Sequence, residues 1–102
     1  MVHRFVLVKL NDAYANDAGR AEVVASAISN LSDLPGVEGV RAGPPADEAA
    51  AGSWDVAIVI ELDDIDIYPA YAKAPAHLAW LENFLNPRAA CKKAWNFSLS
   101  EG

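Results

Sequence analysis

Val2-His3-Arg4-Phe5-Val6-Leu7-Val8-Lys9-Leu10 opens the chain. Its middle, Phe5 to Val8, is aromatic and branched at Cβ, with Arg4 and Lys9 near the ends, which predicts a strand. Successive side chains alternate between the two faces of a strand. Val6, Val8 and Leu10 therefore take one face, and Phe5 and Leu7 the other. A strand that is apolar on both faces is expected at the centre of a sheet. Trp54 to Leu62 has the same character. Trp54, Val56, Ile58, Ile60 and Leu62 share one parity, and Ala57 and Val59 make the other partly apolar.

The segments between and beyond these two strands complete the order. Asn11 to Asp17 is polar and Ala-rich, and Asn16 or Asp17 is placed to cap a helix from about Ala18 to Ser32. Ala21, Val24, Ile28 and Leu31 recur at offsets of three and four, which predicts its apolar stripe. Leu34-Pro35-Gly36 ends it with two breakers in succession. Val37 to Gly43 reads as a short edge strand because its pattern is weak and contains glycine. Gly43-Pro44-Pro45 and the Ala-rich stretch to Gly52 read as a loop. After the second strong strand, Asp63-Asp64 and Asp66 suit helix capping and the helix dipole.

Pro69 and Pro75 divide the next helical region into Tyr68–Lys73 and Pro75–Leu85. In the second piece Leu78, Leu81 and Leu85 form one apolar row, and Trp80 and Phe84 another. Asn86-Pro87 is expected to stop it. Arg88 to Leu99 is the last strand, with Cys91, Trp95, Phe97 and Leu99 on one parity and Cys91 read as pointing inward.

The order is β-α-β-β-α-β. Right-handed crossovers make this an α+β, ferredoxin-like domain: a four-stranded antiparallel sheet with both helices on one face. Its first and third strands are then central, and these are the two that are apolar on both sides. The 102 residues fit one domain. At 53% hydrophobic, so short a chain has more apolar matter than one protomer easily hides. The sheet face without helices would be an exposed apolar patch. The expected partner is a second copy of the chain, packed sheet against sheet over roughly 2,000 Å² or more.

The net charge of −6 argues against nucleic acid as a partner. The early apolar run is too short for a signal peptide or a membrane span, so no membrane partner and a cytoplasmic location are expected. Cys91 is the only cysteine, which fits a reducing compartment. Two distant histidines make no ligand spacing, so no metal is expected.

Several of these segments also resemble a known family. Val2 to Leu10 resembles the opening strand of the stress-responsive dimeric α/β-barrel (Dabb) family, and Leu34-Pro35-Gly36-Val37 resembles the segment after its first helix. Tyr71-Ala72-Lys73-Ala74-Pro75-Ala76-His77 is similar to the family's Tyr-x-x-His-Pro-x-His signature. The resemblance implies a dimeric α/β barrel built from two ferredoxin-like protomers. One plant branch of the family contains polyketide cyclases that carry out a cofactor-free aldol condensation. By that resemblance Tyr71 and His77 line a cavity, and His3 takes the place of a first-strand histidine near them. Ala74 stands where the signature has its first His, and Asp55-Val56-Ala57 stands where the cyclases have another.

Such chemistry needs a base to remove a proton alpha to a carbonyl, and a donor to hold the enolate or alkoxide. A neutral imidazole and a phenol suit these roles. Against this, His77 also reads as a helix-start residue bonded to a backbone carbonyl, Tyr71 as a rim residue with its hydroxyl in water, and His3 as a core or interface histidine. Trp54, Trp80 and Trp95 could line an aromatic pocket or simply serve as core or interface. Three functions are therefore carried forward: a pocket for an apolar or aromatic carbonyl compound with cyclase-like acid/base chemistry and no cofactor; a non-enzymatic dimeric stress or scaffold protein; and a cofactor-free monooxygenase.

Overall fold

The strongest strands do lie at the centre. In the computed structural model, which describes residues 1–102, β1 (Val2–Leu10) runs antiparallel to β3 (Val56–Leu62). The edges are β2 (Val37–Gly43), paired with β3, and β4 (Ala89–Ser98), paired with β1, giving the order β2-β3-β1-β4. Val6 faces Ile58 on one side and Ala94 on the other, while Phe5 faces Val59 and Trp95. The period of two thus sends Val8, Val56, Ile58, Ile60 and Leu62 into the core under the helices. It sends Phe5, Leu7, Val59, Trp95 and Phe97 to the opposite, uncovered face. The fold is the ferredoxin-like sandwich of a four-stranded sheet with helices on one side.

The first helix, α1 (Asp17–Leu31), is capped by Asn16, whose side chain accepts the Gly19 N–H at 2.8 Å. Its buried row is Gly19, Val23, Ala27 and Leu31, so the expected stripe is rotated by one residue. Ala21 is exposed, Ile28 is 41% exposed, and Val24 is only partly covered. The two rows lie side by side, and the buried one carries the smaller residues. At Gly19 a Cβ would lie 1.9 Å from the Tyr14 carbonyl oxygen, so only glycine fits. Gly36, with φ of +75° and the Ile67 side chain against it, turns the chain into β2.

The Ala-rich loop contains a single helical turn, α2 (Glu48–Ala51), which the expectation of a loop did not include. Asp47 caps it by accepting the Ala50 N–H at 2.8 Å. Trp54 and Asp55 lie just before β3. Trp54 does not join the buried row but lines a hollow with Leu7, Pro44 and Ala57. Asp55 is 1% exposed. It accepts the Leu10 N–H at 2.7 Å and two N–H groups of Arg20, at 2.8 and 3.1 Å, tying β1, α1 and β3 together. Burial pushes its carboxyl pKa up, but the Leu10 N–H and the Arg20 guanidinium outweigh that and hold it below the usual value.

Asp64 caps a 3-10 turn at Ile65–Ile67 by accepting the Asp66 N–H at 2.6 Å. Next come α3 (Tyr68–Lys73) and α4 (Pro75–Trp80), divided as the prolines require. The second piece does not stop at Asn86-Pro87. It widens into a π-helical segment, Leu81–Leu85, and adds a last turn, Asn86–Arg88. The Asn86 N–H reaches back five residues to the Leu81 carbonyl. That wider ladder accommodates Pro87, which has no N–H to give. Leu78, expected in an apolar row, is 50% exposed, whereas Leu85 is enclosed. Cys91 points outward: it pairs with Lys9 on the uncovered face, near the start of β4. No helix is long and apolar enough to cross a membrane.

Candidate active site

The break between α3 and α4 builds the site. A residue preceding proline is driven from the helical to the extended region. Ala74, before Pro75, has ψ of 131°, and the chain changes direction there. Tyr71 on one side of the break and His77 on the other come together with ring centroids 4.6 Å apart. The break also frees helix-end carbonyls from their usual partners. His77 Nδ1 takes one of them, lying 3.0 Å from the Ala72 oxygen. A carbonyl only accepts, so Nδ1 carries the proton of the neutral ring and Nε2 keeps its lone pair. The helix-start reading of His77 and the pocket reading therefore both describe the same side chain.

Tyr71 is 1% exposed, not a rim residue with its hydroxyl in water. Burial pushes its phenol up to about 12, Arg4 opposes the rise and Tyr68 adds to it. Burial pushes the His77 imidazole below its usual value; the Ala72 carbonyl opposes, and Arg4 and Lys92 act with burial. At neutral pH the pair is a free base beside a protonated donor.

Both rings line a cavity of about 230 Å³ between the sheet and the α3–α4 layer. Val6, Ile58, Ile60 and Ala94 supply its sheet side, and Leu31, Trp80, Leu81 and Leu85 most of the rest. Trp80 is fixed by its indole N–H, which donates to Ser26 Oγ at 2.9 Å, and by stacking on Phe84 at 5.8 Å. Of the three tryptophans it alone lines this cavity. Two cations, Arg4 and Lys92, also border it. Sequence reasoning missed both. The available signal was parity: Arg4 alternates in phase with the core residues Val2 and Val8, and Lys92 with Ala94.

His3 does not join Tyr71 and His77. It precedes Arg4 by one residue, and a step of one along a strand reverses the face. His3 pairs with Glu61 and Phe97 and lines a separate hollow of about 400 Å³ on the uncovered side, with Phe5, Arg41 and Val59. Its Nδ1 is enclosed there without a hydrogen-bond partner. The polar first-strand side chain that does reach the cavity is Arg4, beside the apolar Val6. Nowhere do three or more His, Cys, Asp or Glu side chains gather in a metal-binding cluster.

A family model described as the stress responsive A/B barrel domain matches residues 2–91. No curated protein sequence matches the chain. Among solved structures, a dimeric ferredoxin-like protein of unknown function from Thermobifida fusca is 30% identical, with a TM-score of 0.75 over 96% of this chain and 90% of that one. A Dabb-family protein with a ferredoxin-like fold from Mesorhizobium loti superposes with a TM-score of 0.78 at 16% identity, over 98% and 97% of the two chains. A hydroxynitrile lyase from Passiflora edulis reaches 0.77 at 13% identity, over 99% and 94%. At these lower identities the likeness is one of fold.

Proposed function

The chain belongs to the stress-responsive A/B barrel domain (Dabb) family, and on that premise we propose that it is a homodimer, closed through the bare sheet face, whose protomers each carry out cofactor-free acid–base chemistry on a small apolar or aromatic carbonyl compound. The observation that carries the chemical reading is the Tyr71–His77 pair, with ring centroids 4.6 Å apart in the wall of an apolar cavity. Dimerisation is supported by Trp95, Phe97 and Leu99, which are 45%, 51% and 54% exposed. It is also supported by the dimeric state of the 30%-identical Thermobifida fusca protein.

The chemistry follows from the protonation states. His77 Nε2 takes a proton from the carbon alpha to the carbonyl. The electron pair of that C–H bond moves toward the carbonyl oxygen, and the Tyr71 hydroxyl donates a hydrogen bond to the enolate oxygen. The cavity limits the guest, because about 150 Å³ already holds benzene and about 230 Å³ admits one ring with a short substituent.

Phenylacetone is a suitable probe. Exchange of its α-protons in D2O, followed by NMR, is expected to be accelerated by the protein. General acid–base catalysis is worth about 100-fold or more. The His77→Ala variant is expected to lose about that much of the acceleration, and Tyr71→Phe about tenfold. Exchange no faster with the protein than without it, or unchanged in His77→Ala, contradicts the reading. A dimeric scaffold without turnover is the second reading. It is favoured by Ala74, which leaves His77 as the only imidazole in the cavity.

A further inference from the structure

The charges around the cavity are one-sided. The chain has 14 acidic residues against 8 basic ones, yet no carboxylate lines this space and two cations do. Arg20 pairs with Asp55 at 2.8 Å, Arg88 with Glu22 at 2.8 Å and Arg41 with Glu61 at 3.2 Å. Arg4 has no carboxylate. Its only polar side-chain partner is the neutral Asn96, through one N–H at 3.0 Å, and its guanidinium lies 4.7 Å from the centre of the Tyr68 ring. Lys92 likewise meets a neutral partner, donating to Asn86 Oδ1 at 2.6 Å.

A guanidinium has five N–H donors in a planar fork that matches a carboxylate, so most of that capacity is unused at Arg4. Part-burying a cation without an anion costs free energy that an arriving anion restores. Arg4 lies on the sheet side of the cavity, on the same strand face as Val6. Tyr71 and His77 line the same cavity as Arg4.

We propose that the cavity selects small apolar carboxylic acids, with Arg4 as the partner of the carboxylate and the aliphatic and aromatic walls holding the rest. This rests on the reading of the cavity as a ligand site and narrows the guest to an acid, such as one carrying both a ketone and a carboxylate. Lys92 supports the anion from the far end of the β1–β4 floor, where it stands opposite Val8.

Calorimetric titration at pH 7 compares phenylacetate with 2-phenylethanol, a neutral compound of similar size. Phenylacetate is expected to bind at least about tenfold more tightly, as a charge-assisted hydrogen bond implies. In Arg4→Gln the preference disappears while 2-phenylethanol binds as before, which also shows that the variant is folded. Should that variant not fold, Arg4→Lys, which keeps the charge but not the fork, is expected to retain only part of the preference. Lys73→Gln, on an exposed helix surface, changes neither affinity. Equal binding of acid and alcohol overturns acid selection and leaves the cavity reading standing. A preference that survives in Arg4→Gln overturns the role of Arg4. Binding of neither compound overturns both.

Discussion

His77 owes its protonation state to its surroundings. Burial, with Arg4 and Lys92 nearby, lowers the imidazole pKa, and only the Ala72 carbonyl opposes them. Its neutral form is therefore favoured by the fold, and the stability this confers is present above the ordinary value near 6.5 and lost as pH falls through the folded value. The same sign governs the proposed exchange chemistry. The exchange rate at low substrate concentration, read as kcat/KM, is expected to rise with pH through a midpoint below 6.5. It then stays level until the alkaline range where Tyr71, at about 12, ionises. A midpoint at or above 6.5 contradicts this environment for His77. Of the residues in the site, Tyr71 and His77 were legible because they lie in a short signature around Pro75. Arg4 was hidden by its neighbour. A histidine draws the eye, but a single step in register puts His3 on the wrong side of the sheet and Arg4 on the right one.

At the level of elements, the site depends on a helix that fails to continue. Pro75 removes an N–H and forces Ala74 out of the helical region, so α3 and α4 meet at a corner with Tyr71 and His77 inside it. Pro75→Ala lets the helix run straighter. It is expected to lower the exchange rate by tenfold or more, because small misplacements of reacting groups are costly, while leaving the thermal midpoint within a few degrees of the parent. An unchanged rate contradicts the corner as the positioning device. The breakers that divide α3 from α4 were plain in the sequence, as were the period-two strands. The buried face of α1 was not, because two rows of apolar residues lie side by side and both end at Leu31. The π-helical widening before Pro87 was also not legible, since proline there reads as a stop. Nor was the single turn of α2, too short for any periodicity and held by its Asp47 cap.

The whole protomer is a slab of Cα extents 36 × 36 × 19 Å, the thickness of one sheet and one helical layer. Its two sheet faces differ in kind. The covered face holds the Tyr71–His77 cavity, and the bare one carries exposed Trp95 and Phe97 with His3 between the strands' apolar side chains. The bare face is expected to be covered by a second copy. Sedimentation velocity at micromolar concentration should then give a particle of twice 10.9 kDa, and Trp95→Glu should shift it toward the monomer; a wild-type protein of 10.9 kDa contradicts this. The proposed chemistry is expected to belong to the covered face alone. The most direct measurement is α-proton exchange of phenylacetone by His77→Ala and His3→Ala side by side. A loss of about 100-fold is predicted for His77→Ala, and a rate within about threefold of the parent for His3→Ala. Equal losses in the two variants, or a larger loss for His3→Ala, would contradict it.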